Sequence, residues 1–368
     1  MKDNLRNRLV ADESNHRYLQ FCQYHQSQPV YPIVIFGSGD IGMMTKKILS
    51  ENGIPVFAFC DNDITKQGMI VKGVRVIAPS ALRDMDHVQV IVNDSYYSEK
   101  HRQLLDMGIK ENNIWRFDAF NFLYKNFTGD YIFSRYDSFA KTYSWLEDAA
   151  SKTVFAGYLN GVITGDLAYY EQVMTNDEYF PKDLLPMRSD HVFVDVGAYN
   201  GNTSLEFIDY FNGKYEKIYA FEPLESSANL IDRKKIPKLQ LCRAGASDRV
   251  GTVDWFCNDY GDLSMLTTVQ AQGAKDKMLR VKTETIDHVL AGGKATFIKM
   301  DIEGSELSAL QGAREMIQKY RPFLAVCVYH KKEDLIEIPT YIHTIMPQYK
   351  MYLRHHSNTA ADLVLYCV

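Results

Sequence analysis

Two hydrophobic periods alternate along this chain. Short apolar runs such as "PIVIF", "PVFAFC" and "VQVIVN" read as buried strands, and between them apolar residues return every third or fourth position, the spacing of a helix packed on one face. From Tyr31 to Phe120 the pattern predicts a small αβ domain. Asp40 to Asn52 is a helix that Gly53 ends, "GMIVKGVRVI" a small hairpin, and Pro79-Ser80 opens a further helix. "SYYSEKHRQLLDMG" is a helix ending at Gly108, and "NIWRF" is a last strand. Between Asp118 and Arg188 the strand runs stop; this stretch is aromatic and helix-patterned, and reads as a connector that also packs on the second αβ region. From Ser189 the αβ rhythm returns with "VFVDV", "KIYAFE", "LQLCRA", "TFIKMD", "FLAVCVY", "KMYLRH" and "DLVLYCV". Helices are expected at Thr203–Phe211, Glu225–Lys235, Ser305–Lys319 and Leu335–Ile345, and Gly251–Glu284 reads as an added β-rich insertion.

Strands alternating with helices imply parallel sheets, so the fold class is α/β. A chain of 368 residues holds two or three domains at roughly 100–200 residues each. The expected division is a helical N-terminal extension (1–30), a first αβ domain (31–120), a helical connector (121–188) and a second αβ domain (189–368). A net charge of −5 gives no electrostatic case for nucleic acid. The six cysteines contain no C-x-x-C pair, so neither a zinc framework nor a disulfide ladder is visible, and a reducing cytoplasm is expected. The polar N-terminus lacks the apolar core of a signal peptide, and no run approaches the roughly 20 residues that span a bilayer.

Each αβ domain carries a glycine loop. In "VIFGSGDIGMM", Gly37, Gly39 and Gly42 stand at G-x-G-x-x-G spacing after a strand and before a helix, and Asp61 follows the second strand where a ribose-binding acid belongs. This is the geometry of a dinucleotide loop. Yet the domain is short and nothing in it supplies a hydride-transfer constellation.

The second loop, "VFVDVGAYNG", begins with a carboxylate: Asp195, then Gly197, Ala198, Tyr199 and Gly201. A carboxylate there would repel a pyrophosphate; it suits a cationic ligand with an amino-acid tail, and S-adenosylmethionine is one. Glu222 ends the second strand, where it can accept from both hydroxyls of a ribose. Ser247 and Asp248 come after the third strand, in reach of an adenine edge. "FIKMDIEGSE" then puts Lys299, Asp301, Glu303 and Glu306 at the carboxyl edge of the sheet, where open α/β sheets bind ligands. Any one of these acids alone is as well read as a helix cap. Their order along the chain is the stronger signal.

The blocks "FVDVGAYNGNTS", "AFEP", "ASD" and "FIKMDIEGSELSALQGA", with a late strand ending "YH", resemble the FkbM-type S-adenosylmethionine-dependent methyltransferases over roughly Arg188 to Val368. The resemblance implies a class I methyltransferase domain with a seven-stranded sheet, S-adenosylmethionine as cofactor, and O-methylation of a saccharide or polyketide hydroxyl. By position it implies a cofactor site lined by Asp195, Gly197, Gly201, Glu222, Asp248 and Asp301. Tyr199 departs from the wider class I pattern, which often has glycine there. The segment from "IVIFGSGDIG" to "KGVRVIAPSAL" is similar to the sugar-nucleotide-binding domain of bacterial sugar O-acyltransferases, which implies a nucleotide-sugar ligand for a first, Rossmann-like domain. The hexapeptide repeats that complete such enzymes are missing here.

Methyl transfer to a hydroxyl is helped by a base at the acceptor. His330, ending the fifth strand at the sheet edge, is the leading candidate, with Lys299 and Glu303 as alternatives; a histidine capping a strand is the plainer reading of His330. His355-His356 read as a solvated turn pair. A metal site would need several oxygen ligands near Asp301, and beyond Glu303 no third is assignable, so no metal is expected. The expected partner is a small-molecule or glycan acceptor, and the aromatic connector reads as a dimer surface. The first domain reads equally as a ligand-free structural or dimerising relic or as a binder of a nucleotide-sugar or the glycan acceptor, with NAD or another nucleotide the lesser reading. Two rival readings stay open: a nicotinamide-dependent oxidoreductase using Gly37–Gly42, and a non-catalytic sugar-nucleotide scaffold.

Overall fold

In the computed structural model, which describes residues 4–11, 16–27, 31–94, 96–257 and 277–368, each apolar run predicted as a strand is one. The chain divides into two units. One takes residues 1–136, 155–174 and 357–360, the other 137–154, 175–356 and 361–368.

The first unit contains β1 (Ile33–Phe36), β2 (Ala58–Cys60), β3 (Ile70–Val71), β4 (Val74–Ile77), β5 (Gln89–Ile91) and β6 (Ile114–Trp115) in one sheet of order β3-β4-β2-β1-β5-β6. All pairs are parallel except the hairpin β3–β4. β1, β2 and β5 are buried throughout, which explains why they are continuous apolar runs: a parallel sheet is covered on both faces. One face packs on Tyr18, Ile48, Leu49 and Phe117, the other on Leu82, Val88 and Leu104. The helix Asp40–Glu51 ends where expected, with Gly53 at φ +74. The helix opened by Pro79 is a single 3₁₀ segment, Pro79–Asp84.

The second unit contains β7 (Val192–Val196), β8 (Lys217–Phe221), β9 (Leu239–Cys242), β10 (Gly245–Ala246), β11 (Gly251–Cys257), β12 (Lys277–Glu284), β13 (Phe297–Met300), β14 (Phe323–Cys327), β15 (Met351–His355) and β16 (Leu363–Cys367). Seven of them form a sheet of order β15-β16-β14-β13-β7-β8-β9, in which only β16 runs against its neighbours. The chain builds outward from β7 through β9, then returns to β13 on the other side of β7. That reversal makes the carboxyl ends of β7 and β13 a topological switch point, where open α/β sheets bind their ligands. Phe193 and Phe207 stack at 4.4 Å between sheet and helix, and Phe180, Phe211 and Phe297 close the same core. The insertion is the hairpin β11–β12 with β10 alongside; residues 258–276 within it lie outside the described residues.

Two expectations change. The helix predicted over Ser305–Lys319 is two, Glu306–Gln311 and Arg314–Tyr320, because Asp287 gives its N–H to the Gly312 carbonyl and accepts the Glu315 and Met316 N–H groups on its carboxylate, replacing helical bonds at the break. The stretch 121–188 is not one connector but is shared between the units. Its part in the second unit is tied down by Arg354, whose guanidinium bonds Asp148 (2.7 Å), Ser151 (2.9 Å) and Asp183 (3.0 Å). Its part in the first unit is tied by Tyr170, whose hydroxyl donates to the buried Asp118. Among the described residues no helix is long and apolar enough to cross a membrane. Cys22, Cys60, Cys242, Cys327 and Cys367 are free thiols.

Candidate active site

The site begins with a register. Asp195 on β7 is the direct partner of Lys299 on β13, so a parallel ladder sets an acid and a base side by side at the sheet's carboxyl edge. Both are essentially fully buried, with Lys299 Nζ 3.4 Å from Asp195 Oδ1 and donating to the Gly197 carbonyl at 2.9 Å. Ser204 Oγ donates to Asp195 Oδ2 at 2.8 Å. Burial alone would lower the lysine's pKa, but the Asp195 and Asp301 carboxylates raise it, so the ammonium is kept. Asp195 therefore braces the loop from beneath, and Lys299 is a strut of the same loop rather than a group reaching an acceptor.

Gly197 is the residue the turn requires. At φ +82 it faces the Asp301 carbonyl so closely that a Cβ would overlap it. Ala198 N–H donates to the Phe221 carbonyl, Tyr199 sits in the left-handed region (φ +48) with its ring part-exposed, and Gly201 (φ +78) leads into the helix Asn202–Tyr210. The unusual Tyr199 backbone has a purpose: its N–H donates to Glu222 Oε2 at 2.9 Å.

Glu222 is 5% exposed, and its other oxygen accepts from Leu224 N–H at 2.9 Å. Burial outweighs these two bonds and the Lys299 charge and pushes the carboxyl up to about 7. Each carboxylate oxygen has two acceptor directions, so each keeps one for a ligand. Ser247 and Asp248 are differently occupied. Asp248 is exposed; its N–H donates to Ser308 Oγ, and its Oδ1 accepts from the Ser247 and Ser308 hydroxyls, tying the loop after β10 to the helix Glu306–Gln311.

Beyond β13 the chain turns sharply through Asp301, Glu303 (φ +57) and Gly304 (φ +94). The His330 ring, delivered by the end of β14, lies among three carboxylates: Glu306 Oε1 is 3.0 Å from Nδ1, and Asp301 Oδ1 and Glu303 Oε2 are 3.3 and 3.6 Å from Nε2. Burial alone would lower its pKa, but these charges, Glu306 foremost, raise it to about 9. Burial would likewise raise Asp301, yet Lys299 and His330 hold it below the usual carboxylate range.

Residues 195–355 match the family model for the methyltransferase FkbM domain, and residues 30–115 match the model described as C2185-like, N-terminal. The second unit carries an FkbM methyltransferase domain. The fold of the chain as a whole is similar to the crystal structure of methyltransferase FkbM from Methylobacillus flagellatus KT, at TM-score 0.73 and 23% identity over 92% of this chain and 90% of that one. An rRNA methylase from Streptococcus thermophilus (TM-score 0.31, 11% identity, 49% of this chain and 88% of that) and Aeropyrum pernix fibrillarin with bound S-adenosyl-L-methionine (0.32, 9%, 50% and 69%) are far more distant. No curated protein matches the chain.

The methyltransferase domain also holds residues that sequence reasoning missed. Tyr179 donates its hydroxyl to Asp301 Oδ2 at 2.8 Å from 122 positions away, and its ring lies under the Lys299 ammonium at 5.2 Å. Neighbouring Glu178 is pushed up to about 7 by burial, with Asp362 and Asp301 adding to it. Nothing in "NDEYFP" signals this, because its partners lie more than a hundred residues further along the chain. Glu306, noted in the sequence only as an acid at the sheet edge, proves to be fully buried. His355 and His356 are not a solvated pair: His355 bonds the Ala361 carbonyl, and His356 meets Thr175 and Tyr366.

In the first unit, Gly37 (φ +128) turns beneath Asp94, whose Oδ2 would lie 2.6 Å from a Cβ, and Lys100 pairs with Asp94 and donates to the Phe36 carbonyl. Gly42 packs against the Gly37 carbonyl, while Gly39 faces open space. Asp61 Oδ2 accepts from both the N–H and the hydroxyl of Ser38, and its Oδ1 from Asp63 N–H.

Proposed function

We propose that the FkbM domain transfers the methyl group of S-adenosylmethionine to a hydroxyl oxygen of a saccharide or related bacterial metabolite. The observation that carries the cofactor assignment is Glu222: a buried carboxyl at the end of the second strand, pushed up to about 7, with an acceptor direction left on each oxygen. A ribose diol supplies two donors at that spacing, and their bonds stabilise the ionised form that burial disfavours. The Gly197–Gly201 turn leaves backbone close to the same edge for the methionine end, and Ser247 and Asp248 border the adenine. Asp195, Ser204 and Lys299 position this loop. When bound, the cofactor supplies an electrophilic methyl on a sulfonium.

The acceptor side is polar. Asp301, Glu303 and Glu178 offer a carboxylate rim suited to a hydroxyl-rich acceptor rather than a flat apolar one, with the buried Tyr179 hydroxyl orienting Asp301. Both His330 nitrogens face carboxylates, so Glu303, about one-third exposed at the rim, is placed to take the acceptor proton. Orientation on this rim is the main contribution to rate, because sulfonium methyl transfer needs an in-line oxygen and little else. Calorimetric titration of the full chain with S-adenosylhomocysteine tests the cofactor assignment. One site per chain is expected, weakened at least about tenfold in Glu222→Ala; no binding by the wild-type chain refutes it. Incubation with S-adenosylmethionine and hydroxylated saccharides is expected to give a product heavier by one methylene.

A further inference from the structure

We infer that Asp301, Glu306 and His330 form a binding site for one divalent transition-metal ion at the carboxyl edge of β13 and β14. The three residues each offer a ligand atom, and these atoms lie within 4.8 Å of one another. What singles them out from an ordinary acidic cluster is the state of their polar atoms. Asp301 Oδ1, Glu306 Oε2 and both ring nitrogens of His330 are buried and make no hydrogen bond among the described residues. Such atoms are rare in folded proteins, and three residues that carry them, each with a ligand atom this close to the others, call for a common partner.

An imidazolium ion-paired with its neighbours does not satisfy them. Carboxylate oxygens stand 3.0, 3.3 and 3.6 Å from the ring nitrogens, yet none of these contacts completes a hydrogen bond. Meanwhile the other oxygen of each carboxylate is pinned by the protein: Tyr179 hydroxyl on Asp301 Oδ2 at 2.8 Å, and Ile302 N–H on Glu306 Oε1 at 2.8 Å. A carboxylate with one oxygen anchored by a hydrogen bond and the other left bare is held in the orientation a metal ligand needs. The charge agrees: Glu303 adds a third carboxylate beside the ring, against the buried cation Lys299.

One imidazole nitrogen with two carboxylates selects Mn²⁺, Fe²⁺, Co²⁺ or Zn²⁺ over Ca²⁺ or Mg²⁺, which prefer all-oxygen sites. The Glu306 and His330 side chains are 0% and 6% exposed, but Asp301 is 27% exposed, so the open coordination positions face the rim. Resting on the methyltransferase reading, an acceptor hydroxyl bound there would lose its proton to Glu303 more readily. Its oxygen would then form the O–CH₃ bond as the C–S bond breaks and its electron pair returns to sulfur.

The test uses the full chain, stripped with chelator, and MnCl₂ alone, so that it does not depend on cofactor binding. Calorimetry is expected to show one site per chain, weakened at least about tenfold in His330→Gln and in Glu306→Gln. Pulsed EPR of the Mn²⁺-loaded wild-type chain is expected to show nitrogen coupling from one imidazole, a readout that needs no variant to fold. Absence of Mn²⁺ binding, or bound Mn²⁺ without nitrogen coupling, overturns the site. Failure of S-adenosylhomocysteine to bind would overturn the methyltransferase reading and leave the metal site standing.

Discussion

Two strand–glycine–helix turns stand at the carboxyl edges of two parallel sheets, one in each unit, and their parts correspond. Each has a lysine beside it, Lys100 on the Phe36 carbonyl and Lys299 on the Gly197 carbonyl. Each is succeeded by an acid after the second strand, Asp61 and Glu222. The acids are where they part. Asp61 is committed to its own loop: burial would raise it, but the Ser38 and Asp63 bonds and Lys66 hold it at about 2. Glu222 receives one backbone bond on each oxygen and is pushed the other way, to about 7. Glycine spacing identifies a turn. What the acid still has to give identifies a site.

The lysines offer the harshest test of that contrast. Lys299→Met leaves Asp195 and Asp301 charged and buried without their cation, and removing one partner of a buried pair costs about 3–5 kcal/mol. Lys100→Met removes a donor from the Phe36 carbonyl and leaves one carboxylate, Asp94, whose side chain is 20% exposed and can be hydrated, so the loss is smaller, about 1 kcal/mol. Urea denaturation combined with hydrogen exchange, which reads each unit separately, measures both. Equal losses would show that the two lysines do the same job.

Next come the glycines. Gly197→Ala forces a side chain into the left-handed region and against the Asp301 carbonyl, so about 3 kcal/mol and most of the S-adenosylhomocysteine affinity are expected to go. Gly39→Ala meets nothing within 4 Å and sits at φ −80, so stability is expected to change by less than about 0.5 kcal/mol, with binding to the FkbM domain untouched. Loss of that binding in Gly39→Ala would mean the first loop takes part in the reaction after all.

The fold is legible because parallel strands buried on both faces are written as apolar runs, and helix ends as glycine and proline. The break within Ser305–Lys319 is not, because Asp287 caps it from outside the helix, a contact with no local signature. The site is half legible. Asp195, Gly197, Glu222 and Asp301 occupy strand ends and can be placed from the pattern. That Asp195 is consumed by Lys299 depends on β7–β13 register, which no local pattern reveals. The proposed metal ligands are hidden in the same way: Asp301 and Glu306 share one block of sequence, but Glu306 is buried and His330 reaches it from another strand. Tyr179, from the aromatic stretch that reads as a connector, is visible only in three dimensions.

The smallest expected effect bears most directly on Glu222. A carboxyl raised above its ordinary value binds its proton more tightly in the folded chain. Its contribution to stability is therefore full below about pH 4.5 and is lost as pH rises towards 7. A ribose diol reverses the preference, because its donors bond the ionised form, with Lys299 assisting and Asp195 opposing. S-adenosylhomocysteine should thus bind more tightly at pH 8 than at pH 6, by at most about tenfold per pH unit, and should release a proton near pH 7. Calorimetry in buffers of different ionisation enthalpy counts that proton. In Glu222→Gln both the slope and the proton should vanish while weaker binding persists. An unchanged slope in that variant would place the titrating group elsewhere and remove the distinction drawn between Glu222 and Asp61.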